Sequence, residues 1–484
     1  MKTKTRSIFS GDMLPRERWL VLLAFGFLIA VMGGSSRSDI ASLPFFRASA
    51  VLFAFFALAT TRTGTWREIR LPLTLLGLLA LWMIAQLVPL PADVWSSLPG
   101  RDIIYRMDRL LGHADRWRPI SMTPSLTRNS LLALSVPAAA LLLSAAIPVE
   151  ERVRLWWAIW AFAMLSAAFS LFQFVAGARS AFYLYRITNE GALVGLFANR
   201  NHQALLLALG ILAAGWLITQ EFLRKHSRPV VVPALSGSIL ILILLILTIG
   251  SRQGLICGLL ALTVIFGAIR WGSGQRAKAV GRRTAGAMPA RPLVRVAVIV
   301  LPFVVIGGLI ALFYWSDRSN AIVRLIDGDG DAAADMRFAA FGTVLGLLKS
   351  QWVLGGGFGS FSKLFQTVEP DALLLPSYFN QAHNDWLQLP IEGGLPGVLI
   401  ALAGLVWLAV TLVGAVFGRG RVTTPVKVEA MLLGAAFACL AICSFVDYPL
   451  RVPSLEMVAA FLVVLSVKCR TRSAGIDEAA KPAS

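Results

Sequence analysis

The sequence predicts an all-α polytopic membrane protein with about twelve transmembrane helices, and three observations predict it. Of its 484 residues, 57% are hydrophobic and only 15% are charged, whereas about a quarter of a soluble chain is charged. The apolar residues gather into runs approaching the roughly 20 residues that a helix needs to cross a bilayer's hydrocarbon core. Lys and Arg lie between those runs and are shared unequally between the two sides. Alternating apolar and polar strands of about ten residues, the mark of an outer-membrane barrel, are absent. Helices remain, because lipid offers an open backbone no hydrogen-bond partner.

The runs, in order, are residues 19–34, 43–60, 71–88, 129–148, 155–176, 201–219, 233–250, 254–271, 294–315, 395–417, 429–446 and 454–467. With the N-terminus inside, the inner segments are 1–18, 61–70, 149–154, 220–232, 270–295, 418–428 and 468–484. They hold 27 of the 45 Lys and Arg, so nearly the whole net charge of +19 faces the cytoplasm. That asymmetry is an orientation signal beside anionic membrane lipids. Nucleic-acid binding would need the basic residues on one shared face, so no nucleic-acid partner is expected. The first run follows a basic leader, but residues 30–35 contain no clean small-x-small cleavage site, and the run is read as a signal anchor. Cys257, Cys439 and Cys443 fall within runs and Cys469 in the inner tail, which leaves no outer pair for a disulfide.

The organisation is then an inner N-terminus (1–18), nine helices (19–315) interrupted by an outer loop at 89–128, a large outer loop subdomain (316–394), three more helices (395–467) and an inner tail (468–484). The stretch around Ile103 to Leu111 in the first loop is amphipathic and suits the membrane surface. The larger loop is too long to be structureless. Its residues 332–348 have helical periodicity, with Phe338, Phe341, Leu345 and Leu348 on one face, and the glycines of Gly355-Gly356-Gly357-Phe358-Gly359 end that helix.

The densest polar string is His383-Asn384-Asp385-Trp386-Leu387-Gln388-Leu389-Pro390-Ile391-Glu392-Gly393-Gly394, just before the tenth run. Imidazole accepts or passes on a proton near neutral pH, which a hydroxyl nucleophile requires. The structural alternative is that His383 and Asp385 start a helix and Trp386 anchors at the lipid interface. Three arginines share the outer side: Arg200 in Asn199-Arg200-Asn201-His202, Arg252 in Ser251-Arg252-Gln253-Gly254, and Arg337. Guanidinium forks match phosphate geometry and keep their charge; the alternative is snorkelling to lipid headgroups. Asp327-Gly328-Asp329-Gly330-Asp331 suggests a calcium loop, but Ala332 and Phe338 stand where that loop needs Gly and Glu. The four histidines are too scattered for a metal cluster, so no metal and no cofactor is expected.

These residues resemble the O-antigen ligase and polymerase superfamily of bacterial inner-membrane glycosyltransferases. Asn199-Arg200-Asn201 is similar to the family's Asn-x-Asn segment, and Ser251-Arg252-Gln253-Gly254 to its Ser-Arg-x-Gly turn. Arg337 with the glycine cluster resembles the large-loop arginine and glycines, and His383-Asn384 through Glu392-Gly393-Gly394-Leu395-Pro396-Gly397 resembles the His-Asn and Glu-x-Gly signature. Val353-Leu354 stands where the family often has Pro, and Trp386 where it often has Tyr. The resemblance implies a periplasm-facing transferase in the inner membrane, with both termini cytoplasmic. Its donor would be a glycan on a polyprenyl pyrophosphate and its acceptor a hydroxyl of lipid A core or another glycan. By the same carry-over His383, Arg337 and Arg252 are catalytic, and Arg200, Asn199, Asn201, Asn384, Asp385 and Glu392 bind pyrophosphate or glycan. A polymerase of lipid-linked repeats is the alternative within the family. A transporter would share the layout, but charged midplanes and repeated halves are missing.

Overall fold

A computed structural model describes residues 14–61, 63–177, 180–223, 228–279, 332–374, 379–418 and 422–478. The described chain is helical apart from a two-stranded antiparallel pair, β1 (Pro89–Leu90) with β2 (Arg118–Pro119), in which Pro89 faces Pro119. The helices are α1 (Pro15–Met32), α2 (Leu43–Thr60), α3 (Arg70–Ala85), α4 (Ala92–Ser96), α5 (Asp102–Leu110), α6 (Pro124–Ala133), α7 (Ser135–Ala146), α8 (Arg154–Ala176), α9 (Arg200–Leu223), α10 (Val231–Ile249) and α11 (Arg252–Ala279). They continue with α12 (Ala332–Gln351), α13 (Phe361–Gln366), α14 (Asp385–Phe417), α15 (Thr424–Ser444) and α16 (Pro453–Glu478).

Among the described residues, eight helical segments are long and apolar enough to cross a membrane: α2, the joined α6 and α7, α8, α9, α10, α11, α14 and α15. The chain is an integral membrane protein. Twelve runs were expected, and those outside this set differ from it locally. Helix α1 carries Arg16, Glu17 and Arg18 near its start, α3 has only 16 residues, and α16 includes Glu456 and Lys468. The run at 294–315 lies outside the described residues, as does the acidic turn at 327–331.

The chain divides into two compact units. One comprises Met1–Arg152, Ala332–Val410 and Cys443–Val464, and the other Val153–Asp331, Thr411–Ile442 and Leu465–Ser484. In the second unit α9 packs against α8, α10 and α11 and is buried on nearly every side. Small residues permit the approach: a Cβ added to Gly254 of α11 would lie 2.4 Å from the Cβ of Ala204 on α9.

In the first unit, Ala340, Val344 and Leu347 of α12 pack with Phe361, Leu364 and Phe365 of α13 and with Ala382 and Ile391. This buried stripe is rotated from the expected face, and Phe341 is 49% exposed. The face that packs on α13 is the one that carries Ala340, Val344 and Leu347, round the helix from Phe341. Helix α5 is amphipathic as expected, with Ile103, Met107 and Leu110 outward and Asp108 buried against Arg118.

Helix α14 starts at Asp385, ten residues before the expected 395, and is two helices joined at Gly394, whose φ of +60° and ψ of −165° break it. The break diverts the normal i to i−4 bonds. Leu395 N–H donates to Val353 O (3.0 Å). The carbonyls left over are taken up by other segments: Ile391 O by Gly356 N–H (2.8 Å), Glu392 O by Gly357 N–H (3.0 Å) and Gln86 Nε2 (2.9 Å), and Gly393 O by Trp82 Nε1 (2.7 Å). The two glycine motifs of the sequence therefore lie backbone to backbone. A Cβ on Gly355 would sit 2.2 Å from Glu392 O, and one on Gly394 within 2.6 Å of Leu354 C and Gly355 N.

Buried Arg101 fastens the first loop to this junction by donating to Gln351 Oε1 (2.5 Å), Ile120 O (2.8 Å) and Gly355 O (2.8 Å). Burial pushes its guanidinium pKa down to about 10, which leaves it charged at neutral pH.

Gly394→Ala is expected to destabilise the protein by about 2 kcal/mol or more, because the clash is with backbone and φ is positive. Gly77→Ala, at a helical site with nothing within 4 Å, should be neutral or stabilising by up to ~1 kcal/mol. Melting temperatures in detergent check both, and equal effects would contradict the account of the break.

Candidate functional site

The chain just before α14 carries His383 in an unusual backbone conformation. Its φ is +49°, and among the described residues no other non-glycine residue has positive φ. Such a conformation is held against a small steric cost by its surroundings. Here the imidazole is clamped between the rings of Phe379 (5.7 Å) and Tyr448 (5.0 Å), and Phe379 stacks on Phe365 (5.1 Å). His383 Nδ1 lies 3.3 Å from Asp447 Oδ1; the histidine side chain is 20% exposed and the aspartate fully buried. The pair is at ion-pair distance without the alignment of a hydrogen bond, as catalytic contacts often are before substrate tightens them. A carboxylate at Nδ1 favours a proton there and leaves Nε2 as the basic nitrogen.

Beside this pair is a network centred on Arg451, at the end of the short turn between α15 and α16. Its Nε donates to Asp385 Oδ1 (2.9 Å) and its Nη1 to Glu392 Oε2 (2.9 Å). Asp385 Oδ2 also accepts from Ser444 Oγ (3.3 Å), and Glu392 Oε1 from Gln388 Nε2 (3.0 Å) and Phe361 N–H (3.1 Å). Burial alone would lower the Arg451 pKa, but Glu392 and Asp385 outweigh it and the net direction is upward. Asn384 caps α14, its Oδ1 accepting from Leu387 N–H at 3.1 Å.

Of the residues singled out from sequence, the first unit thus gathers His383, Asn384, Asp385 and Glu392. Arg337 lies on α12 in the same unit, with its side chain outside the described residues. Asp447 and Arg451 were missed. Their signal was an aspartate and an arginine in the short turn Asp447-Tyr448-Pro449-Leu450-Arg451 between the last two expected spans, on the side assigned to His383.

The second unit gathers the others. Asn201 Oδ1, in the first turn of α9, accepts from Ser251 Oγ (2.9 Å), whose oxygen also receives Gly254 N–H (3.2 Å) at the start of α11. Asn199 Oδ1 accepts Asn201 N–H (2.8 Å), and Arg200 N–H donates to Asn189 Oδ1 (3.0 Å). Arg200 and exposed Arg252 therefore start two helices tied together by the Asn201–Ser251 bond. Helix N-termini with guanidinium groups favour anions.

The Arg451 triad has an energetic signature. Removing one member of a buried ion pair costs about 3–5 kcal/mol because a charge is left unpaired. Arg451→Met is expected to lower thermal stability strongly, and adding Glu392→Gln should recover part of the loss. A double-mutant cycle measures this, and additive effects would contradict the pairing.

The chain matches none of the curated proteins with which it was compared. A protein-family model described as O-antigen ligase matches residues 237–402, a stretch that contains Arg252, Arg337, the glycine junction, His383, Asp385 and Glu392. That match covers about a third of the chain and supports the resemblance of this stretch to the O-antigen ligase and polymerase superfamily.

Proposed function

We propose that this protein is a ligase-like glycosyltransferase of the bacterial inner membrane. It moves a glycan from polyprenyl pyrophosphate to an acceptor hydroxyl of lipid A core or a similar glycan at the periplasmic face, with both termini cytoplasmic. The observation that carries the reading is His383, held at positive φ between two rings with Asp447 at its Nδ1, inside the stretch that matches the ligase family.

The chemistry follows from the groups present. His383 Nε2 takes the proton of the acceptor hydroxyl as its oxygen attacks the anomeric carbon. The bond from that carbon to the pyrophosphate oxygen breaks, and the electron pair leaves with the pyrophosphate. Asp447 orients the imidazole. Arg252 and Arg337 act on the charge that grows on the leaving group, stabilising the transition state more than the ground state. Arg200, Asn199 and Asn201 bind the donor's pyrophosphate or glycan. Asn384, Asp385 and Glu392 belong to the glycan-binding side in this reading, Asn384 by capping α14 and the two carboxylates by holding Arg451. In this reading the arginines neutralise the leaving group without a metal or other cofactor. A polymerase that extends another lipid-linked repeat would use the same steps with a different acceptor.

His383→Ala, Arg252→Ala and Arg337→Ala are each expected to lower transfer at least a hundredfold, about 3 kcal/mol or more, while the proteins still insert. Gel analysis of surface polysaccharide from a deletion strain carrying each variant checks this. Loss of long chains from lipid A with lipid-linked polymer accumulating is the ligase outcome, and single-repeat products mean polymerase. Full activity of all three variants would overturn the transferase.

A further inference from the structure

Two glutamines in the second unit are not used by the reaction just described. Gln203 on α9 is 0% exposed and Gln253 on α11 is 5% exposed. Among the described residues, Gln253 Oε1 and Nε2 are both buried with no hydrogen-bond partner, and Gln203 Nε2 likewise. Gln203 Oε1 does have one, the Ser166 hydroxyl at 2.5 Å. Buried carboxamides are nearly always satisfied, and an unsatisfied one needs a reason.

Their placement supplies one. Each glutamine directly precedes a member of the tight Ala204–Gly254 contact, so both lie at the same level of the packed α9–α11 pair. One turn nearer the helix ends is the Asn201–Ser251 bond. Gln253 also adjoins Arg252, which is exposed. A neutral amide beside guanidinium groups leaves the anion to the arginines and offers hydrogen bonds to an uncharged neighbour. The open positions are one acceptor, Gln253 Oε1, and two amide groups that donate. A sugar hydroxyl presents the complement, one donor and two lone pairs, and so does an acetamido group with its N–H and carbonyl.

We infer that Gln203 and Gln253 form a neutral polar subsite for a hydroxyl or acetamido substituent on the donor sugar next to the pyrophosphate. This rests on the transferase reading. The subsite selects the donor by its first sugar, because a site built to hydrogen-bond a substrate group discriminates against donors that lack it.

The test uses the full-length protein in vesicles with two synthetic polyprenyl-pyrophosphate glycans, whose first sugar carries either a 2-acetamido or a 2-hydroxyl group. Gln253→Met keeps the shape and removes the polar atoms. KM for the donor should rise about tenfold or more with kcat within about twofold, and the melting temperature should stay level or rise. A rise confined to the acetamido donor identifies that substituent, and a rise for both identifies a ring hydroxyl. Gln253→Asn, which keeps an amide but withdraws it by one methylene, should also raise KM and serves if the Met variant fails to insert. Unchanged KM for both donors in either inserted variant overturns the subsite. If Arg252→Ala abolishes transfer while the Gln253 variants keep wild-type KM, the subsite falls and the transferase stands. Absence of transfer by the wild type from both donors removes both.

Discussion

A helix that breaks in or near lipid must find new partners for the backbone groups it releases, and in the first unit the break at Gly394 is the constraint from which the rest follows. The freed carbonyls of Ile391, Glu392 and Gly393 have little water to turn to, and an unmet buried carbonyl costs about as much as a lost hydrogen bond. They are met by Gly356, Gly357, Gln86 and Trp82. Glycine is required at Gly355 because only a residue without Cβ brings its backbone that close to Glu392. With the backbone of Glu392 fixed, its carboxylate reaches Arg451, Arg451 reaches Asp385, and Asp385 reaches Ser444. The turn that carries Arg451 also carries Asp447 to His383.

The two sets of residues differ in charge. Around His383 the fixed groups are mostly carboxylates, with Arg451 shared between two of them. Around the starts of α9 and α11 the groups are guanidinium, amide and hydroxyl, with helix N-termini alongside, a setting that favours an anion. Both settings are rigid, one through a ladder of stacked rings and the other through glycine and alanine contacts.

The helical class, the approximate spans and the polar strings were legible in the sequence because composition and run length register burial in lipid directly. The start of α14 was legible only as the structural alternative for His383 and Asp385: the span itself was begun at 395, whereas the helix runs from Asp385 and breaks at Gly394. Asp447 and Arg451 escaped notice because their meaning depends on partners some sixty residues away, a distance that no local pattern encodes. Of the expected runs, α1 and α16 carry charges near their ends and α3 is short, which sets them apart from the eight long apolar helices among the described residues.

The measurement that bears most directly on the account is donor consumption by the purified wild-type protein in vesicles containing a polyprenyl-pyrophosphate-linked glycan and a hydroxyl-bearing acceptor, with EDTA present. The account predicts that glycosylated acceptor and free polyprenyl pyrophosphate appear in equal amounts. Donor that crosses the bilayer intact, or is left unchanged while the protein is folded, would contradict it.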